Sequence, residues 1–320
     1  MEMVLLSGLQ IGKQKNKCLN KKSGGIFMNV SIIIVNYNTK ELIKNCLTSI
    51  FEKTSGITFE VIVSDNGSSD GSIEMIKSEF PQVVLIENNA NLGFGKANNV
   101  GSKIAKGKYL FFLNSDTVLL NNAVKEFFDK AESEKDKILG CILVNEEGIA
   151  VHSYERFTPG FKAIFRTMVQ TYPILTKIHP NKKKKSNIFN NKINNDNIQF
   201  IIGADLFISA DNFFMLSGFD EEFFMYFEDE DLCRRAAMQN IYCDISRNPK
   251  IAHYESKSTK VKSKKIEFFE HSLFVYSKKY YTKFFYLFIR ILFFVYSIFR
   301  MFDFRFSFKE RIAMLKNIIS

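Results

Sequence analysis

The sequence predicts an α/β protein with a mostly parallel central sheet flanked by helices, and three observations carry that reading. Apolar runs alternate with helical segments from Val30 to Asp116, the order that builds a parallel sheet covered on both faces. The runs are continuously apolar, the mark of strands buried on both sides. Clusters of Asn, Asp and Ser follow three of the runs, and ligands in such sheets collect at the carboxyl ends of the strands.

The first strand is VSIIIV, Val30–Val35, and a helical segment follows over Glu41–Phe51. FEVIVSD, Phe59–Asp65, is the second strand, followed by a helix over Ser72–Glu79. QVVLIE forms the third, and KYLFFLNSD, ending at Asp116, the fourth, with a helical stretch from Gly95 to Lys106 between them. Asn36, Tyr37 and Asn38 follow the first strand, Asp65 to Ser68 the second, and Asn114, Ser115 and Asp116 the fourth. Such residues also serve as turn and cap formers. Three clusters at three strand ends point instead to one polar crevice.

The chemistry of that crevice is narrowed by what it lacks. Strand one runs into NYNTKE without the glycines of a dinucleotide fingerprint. Gly93 and Gly95 follow strand three without a third glycine at the required spacing, and no GxxxxGK[ST] loop exists. A phosphate-bearing ligand would then be held through a metal on acidic side chains.

In the second half, FIIGADLFI reads as a strand, with a short helix over Asp211–Ser217. FEDEDLCRRAAMQN opens a helix on four consecutive acids, Glu228 to Asp231. Acids at a helix N-terminus are partly explained by the helix dipole, but this many beside Met225, Tyr226 and Phe227 repel one another unless a cation or proton is supplied. A carboxylate in such a position can take the proton of an attacking hydroxyl. His253 follows a short strand ended by Pro249 and is a candidate partner of Asp116 in metal ligation.

Composition bounds the rest. The 320 residues carry a net charge of +10, 34 Phe, 12 Tyr and no Trp. That charge attracts polyanions without choosing among them. The five cysteines are dispersed and lack a CxxC pair, so neither disulfide framework nor zinc knuckle is expected, and a reducing compartment fits best. Residues 1–28 read as a disordered leader, neither signal peptide nor span, with Met28 as an alternative start.

In these blocks the chain resembles glycosyltransferase family 2, in its rhamnosyltransferase-like branch of bacterial surface-polysaccharide synthesis. The matching stretches are VSIIIVNYNTKELIKNCLTSI, VIVSDNGSSDGS, NNANLGFGKANNVGSKIAKGKYLFFLNSDT, GADLFISADNFFMLSGFDEEFFMYFEDEDLCRR and IAHYESKST, in the family's order. The resemblance implies a GT-A fold over 29–256, with a nucleotide-sugar half (29–117) and an acceptor and base half (118–256) carrying a variable insertion near 151–197. It implies inverting transfer of a sugar, rhamnose favoured, from a dTDP- or UDP-type donor, with Mg²⁺ or Mn²⁺ as cofactor. Asp229 is implied as catalytic base, Asp116 and His253 as metal ligands, and Asp65 as the partner of the donor base. Asn36, Asn38, Asn66, Gly93, Lys96, Asn114 and Ser115 fall on the donor side. Arg235 either faces the donor phosphates or organises the acidic helix. Gly203, Ala204 and Asp205, with Glu228 and Asp231, are implied at the acceptor or behind the contacting residues.

Two departures bear on this. The metal motif reads NSDT, with Ser115 where the branch usually has proline and Asn114 where many members have an acid, which lowers intrinsic metal affinity. Asn240 stands where glycine commonly ends the helix, a cap asparagine also tolerates. Two other classes compete, a nucleic-acid-binding protein using the +10 charge and the aromatics and a non-catalytic transferase-like scaffold. The scattered lysines speak against the first and the intact acids against the second.

Residues 257–320 form a basic, aromatic-rich helical tail. Phe284–Phe299 is apolar apart from Arg290, too interrupted for a span. The expected role is an interfacial helix on the inner face of the cell membrane, with Tyr280, Tyr281, Phe284, Phe285, Tyr286 and Phe288 at the lipid boundary. That placement suits a lipid-linked glycan acceptor. The alternative is a helix pair that closes the core or forms a homodimer contact.

Overall fold

The computed structural model describes residues 28–157, 198–254 and 262–300, with 308, 311 and 312. The leader before Met28, the Lys182–Lys185 run, the Asn-rich stretch beyond it and residues 255–261 lie outside the described residues.

Seven strands form the central sheet: β1 (Met28–Asn36), β2 (Phe59–Asp65), β3 (Val84–Glu87), β4 (Gly107–Asn114), β6 (Lys137–Cys141), β9 (Asp205–Ser209) and β10 (Tyr242–Ser246). Their order is β10-β6-β9-β4-β1-β2-β3. Only β9 runs against the rest, pairing antiparallel with both β4 and β6. The order reverses between β1 and β4, both parallel, which opens a crevice at their carboxyl ends. Helices α1 (Lys40–Lys53), α2 (Ser72–Glu79), α3 (Phe94–Ser102) and α4 (Ala123–Ser133) are the crossovers and covers.

β4 shows why the sheet is buried on both sides. Phe111 and Leu113 enter one core, while Leu110 and Phe112 enter the other. On the first face Phe127 of α4 stacks on Phe207 of β9 with centroids 5.4 Å apart. On the second, Phe112 meets Phe213 and Phe219 at 4.8 and 5.0 Å. Offset and edge-on aromatic pairs add to the area they bury, so many of the phenylalanines are core residues.

Two short pairings shape the site. β5 (Thr117–Leu119) lies antiparallel to β11 (Ile251–His253), with Thr117 opposite His253. β7 (Tyr154–Glu155) pairs with β8 (Phe200–Ile201). One expectation is corrected here. FIIGADLFI is not one strand: it breaks at Gly203–Ala204 into β8 and β9, which belong to different sheets. His253 follows the short strand β10 as expected and also sits on a further strand, β11 itself.

Helices α5 (Ala210–Met215), α6 (Glu228–Ala237), α7 (Lys262–Tyr280) and α8 (Lys283–Arg300) complete the described chain. A third core joins Phe223 and Phe227, which precede α6, to Leu273 and Tyr276 of α7 and Ile289, Phe293 and Tyr296 of α8. The C-terminal helices therefore pack on the turn that leads into the acidic helix.

Candidate active site

The strand-end clusters converge through hydrogen bonds. Asn36 Nδ2 donates to Asp65 Oδ2 at 2.7 Å, joining the ends of β1 and β2. Thr39 Oγ1 donates to Asn36 Oδ1 at 2.7 Å and lies 3.0 Å from Ser115 Oγ, joining β1 to the turn after β4. Ser68 belongs to the expected cluster after β2, whereas Thr39 lies outside the three clusters. Asp65 is fully buried, with Oδ1 accepting from the Ser68 N–H at 2.7 Å. Its carboxylate thus anchors the rim, whose exposed members are Asn38 and Ser69, linked by an N–H donated to Asn38 Oδ1 at 2.8 Å.

Asn66 Nδ2 donates to the Gly93 carbonyl at 3.0 Å and Asn66 Oδ1 accepts from Asn88 at 3.0 Å. Gly93 has φ +84°, and a Cβ there would lie 2.2 Å from the Phe224 carbonyl oxygen. Only glycine permits this approach, which lets Phe94 N–H donate to that carbonyl at 2.9 Å. Lys96, in the first turn of α3, pairs with Glu221 at 3.4 Å on the surface.

Asp116 and His253 come together. The β5–β11 pairing brings His253 Nε2 to 3.2 Å from Asp116 Oδ1, with both side chains below 10% exposed (9% and 8%). Asn114 Nδ2 lies 3.4 Å from the same ring nitrogen. One carboxylate and one imidazole suit a hard divalent cation that completes its shell with phosphate oxygens. No cluster of three or more His, Cys, Asp or Glu ligands exists among the described residues, in keeping with the weakened NSDT motif.

The acids of α6 divide into two pairs. Asp229 is partly exposed, with Oδ2 accepting from the Gly203 N–H at 2.9 Å and Oδ1 from the Glu230 N–H at 2.8 Å. Burial raises its pKa, and these N–H donors oppose the rise. Glu228 is buried, and its Oε2 has no partner among the described residues. Burial, then the neighbouring Asp229 charge, pushes its carboxyl well above the usual range. Both carboxyls are therefore shifted toward the protonated form, while the backbone N–H groups of Gly203 and Glu230 favour the charged form of Asp229.

Glu230 and Asp231 face the other way. Glu230 Oε1 accepts from Tyr276 Oη at 2.6 Å. Asp231 is fully enclosed and accepts from Tyr280 Oη, Lys279 Nζ and Arg235 Nε at 2.6, 2.6 and 2.7 Å. Asp231 therefore organises the fold, the second of the two places expected for it, behind the contacting residues. Of the two roles open to Arg235, the structure displays the organising one. Its guanidinium also donates to the carbonyls of Leu216 and Gly218.

The Gly203–Ala204 turn ties the two halves together. Asn114 N–H donates to the Ala204 carbonyl at 3.1 Å, while the adjoining Gly203 N–H holds Asp229. A Cβ on Gly203 would stand 2.7 Å from the Phe94 ring. Asp205, next along, is fully enclosed, so it lies behind the site and cannot touch an acceptor. Its Oδ2 accepts from the Cys141 N–H at 2.6 Å, and burial lifts its pKa to about 8.

A seven-stranded mixed sheet with polar strand ends and a buried Asp–His pair after the fourth strand matches a fold of the GT-A type. The sequence model of Glycosyl transferase family 2 matches residues 31–217, and the chain belongs to that family. It is 30% identical over 151 residues to a poly(ribitol-phosphate) β-glucosyltransferase of Bacillus spizizenii, covering 45% of this chain and 24% of that protein. An uncharacterized glycosyltransferase of Bacillus subtilis, YfnE, is 34% identical over 134 residues, 41% of this chain and 33% of that protein. The chain thus spans a quarter to a third of these two relatives. The rhamnosyltransferase WbbL of Escherichia coli is 24% identical over 247 residues, 72% of this chain and 86% of that protein. Among solved structures, S. aureus TarS 1–349 superposes with TM-score 0.50 at 15% identity, covering 91% of this chain and 71% of that one. The mannosyltransferase PcManGT of Pyrobaculum calidifontis, in complex with GDP-Man and Mn²⁺, gives TM-score 0.53 at 14% identity, covering 78% and 64%. At these identities the structures support the fold alone.

Proposed function

We propose that the chain transfers a sugar, with inversion, from a nucleoside-diphosphate donor of dTDP or UDP type to a hydroxyl of a glycan acceptor. The observation that carries this reading is the Gly203–Ala204 turn. It hydrogen-bonds Asn114 beside Asp116 on one side and Asp229 on the other, so donor-side and base-side groups share one short rigid link.

In this reading the nucleotide lies over the ends of β1 and β2. The Asp65–Asn36–Ser68 network holds the rim, and Asn38 and Asn66 line the approach. The NLGFGKANN block, with Gly93 and Lys96, borders the diphosphate. Asp116 and His253, assisted by Asn114 and Ser115, would hold Mg²⁺ or Mn²⁺, which when bound neutralises charge on the leaving diphosphate. Asp229 takes the acceptor proton as the oxygen attacks the anomeric carbon from the face opposite the diphosphate. One displacement inverts that carbon. Glu228, carrying its own proton, adds no competing charge beside Asp229.

Rhamnose is the favoured sugar, supported by the coverage of the WbbL match, while the other relatives' names include glucosyl transfer. The acceptor is read as lipid-linked, used at the inner face of a bacterial membrane.

Asp229→Asn removes the base with almost no change in volume. Titration calorimetry with the donor should show binding retained, and a transfer assay should show turnover lost. An active Asp229→Asn protein would sink the assignment. A panel of dTDP- and UDP-sugars decides the donor, and NMR of the product anomer decides the stereochemistry.

A further inference from the structure

Helix α8 has two apolar faces, and the described protein covers one of them. Ile289, Phe293 and Tyr296 are buried in the third core. On the opposite side Phe284, Leu287, Ile291, Phe294, Val295 and Ile298 are exposed, Phe284 by 83%. Their spacings of three and four place them in one stripe, where a helix on a water-facing surface carries polar residues.

The charge within this run does not interrupt the stripe. Arg290 turns toward α7, its guanidinium carbon 5.7 Å from the Phe274 centroid and Nη1 donating to Tyr286 Oη at 3.2 Å. Lys283, exposed, stands seven residues earlier and so on the same edge of the stripe. No Asp or Glu occurs in α8. The exposed face is therefore an apolar strip with Lys283 at its margin and no acid along it.

We propose that this face docks flat on an anionic bilayer surface, its apolar side chains at the acyl boundary and its basic margin among the headgroups. The net charge of +10 favours the same partner. Two other occupants fit less well. No helix among the described residues is long and apolar enough to cross a membrane. A second copy packed along the strip would offer no acid from α8 to receive the basic margin. The docking surface is also narrower than the tail's aromatics imply. Tyr280 is bonded to Asp231, and Tyr281 packs on Tyr276 and Phe285 at 6.2 and 5.2 Å.

This inference deepens the lipid-linked reading, but its test needs no turnover. The full-length chain is sedimented with vesicles of phosphatidylcholine alone or mixed with phosphatidylglycerol, at low and high salt. The expected result is co-sedimentation with the mixed vesicles at low salt, weakened by salt and by Lys283→Glu. The double variant Leu287→Ser, Ile291→Ser, altered at exposed positions, should bind about tenfold more weakly or worse, with its melting temperature and donor binding intact. The proposal is overturned if wild type stays in the supernatant with anionic vesicles at low salt, or if the double variant binds as well as wild type. It is equally overturned if wild type is a dimer that ignores vesicles and that the double variant dissociates.

Discussion

Tyr280, at the end of α7, donates its phenolic hydrogen to Oδ1 of the fully buried Asp231 across 2.6 Å. One turn earlier Tyr276 does the same for Glu230 at 2.6 Å, and Ser272 Oγ donates to the Met225 carbonyl at 2.8 Å. A single face of α7 thereby grips the acidic helix and the turn before it. That turn places Tyr226 and Phe227 at φ +74° and +68°, a left-handed conformation that bulky residues rarely adopt and that surrounding contacts must hold. Asp229 follows two residues later.

Tyr280→Phe and Tyr276→Phe should each destabilise the protein by about 1–3 kcal/mol, because each leaves a buried carboxylate short of a donor. A several-fold fall in kcat with little change in donor KM is expected, since the base shifts while the donor crevice does not. Thermal melts and steady-state kinetics check both. Unchanged kcat in a folded double variant would mean that α7 does not position the base.

Gly203→Ala should clash with Phe94 and displace the N–H that holds Asp229. Overpacking of this kind costs about 1–3 kcal/mol, and transfer should fall with it. Phe94→Leu opens the space, so the double variant should recover stability and part of the activity. A non-additive double-mutant cycle is the expected signature.

The pKa of Asp229 is raised by burial, and a base works only when deprotonated. The acid limb of kcat should therefore lie above the ordinary aspartate value of about 4, with activity rising as pH climbs through the raised pKa and lost as pH falls through it. Gly203→Ala, by displacing an N–H that favours the charged form, should move that limb to higher pH. A limb at or below about 4 would contradict the burial of this carboxyl.

Chelation with EDTA should abolish transfer, and Mg²⁺ or Mn²⁺ should restore it. With a single carboxylate and a single imidazole in reach, His253→Ala should raise the metal concentration for half-maximal activity about tenfold or more. Asp116→Asn should be more severe, having removed the charged ligand. Transfer that survives EDTA unchanged would remove the metal from the reading.

Much of the fold was legible because its signals are local. β2 and α2 lie where the apolar runs placed them, and the polar clusters after β1, β2 and β4 meet as expected. The pairing of Asp116 with His253 and the bond from the Gly203 N–H to Asp229 join motifs that the sequence displays. Thr39 stood outside the expected clusters because a hydroxyl in a turn has no pattern of its own. α4 and β6 were missed as well, although Phe127 of α4 is a core residue.

What the sequence by itself determined was the alternation of strands and helices, the polar strand ends and the presence of an acidic helix start, all set by periodicity and residue type. Tertiary structure alone decided what each acid does. Glu228 to Asp231 are four like residues in a row, and their roles separate only through partners brought in from afar: the Gly203 N–H for Asp229, Tyr276 for Glu230, and Tyr280 with Lys279 for Asp231. It also broke FIIGADLFI in two, because β9 must run antiparallel beside β4 while β8 pairs with β7. The inward turn of Arg290, which leaves α8 an unbroken apolar strip, depends in the same way on Phe274 of a different helix. A carboxylate's protonation and a side chain's direction are set by the field and packing of neighbours, and those neighbours are assembled only when the chain has folded.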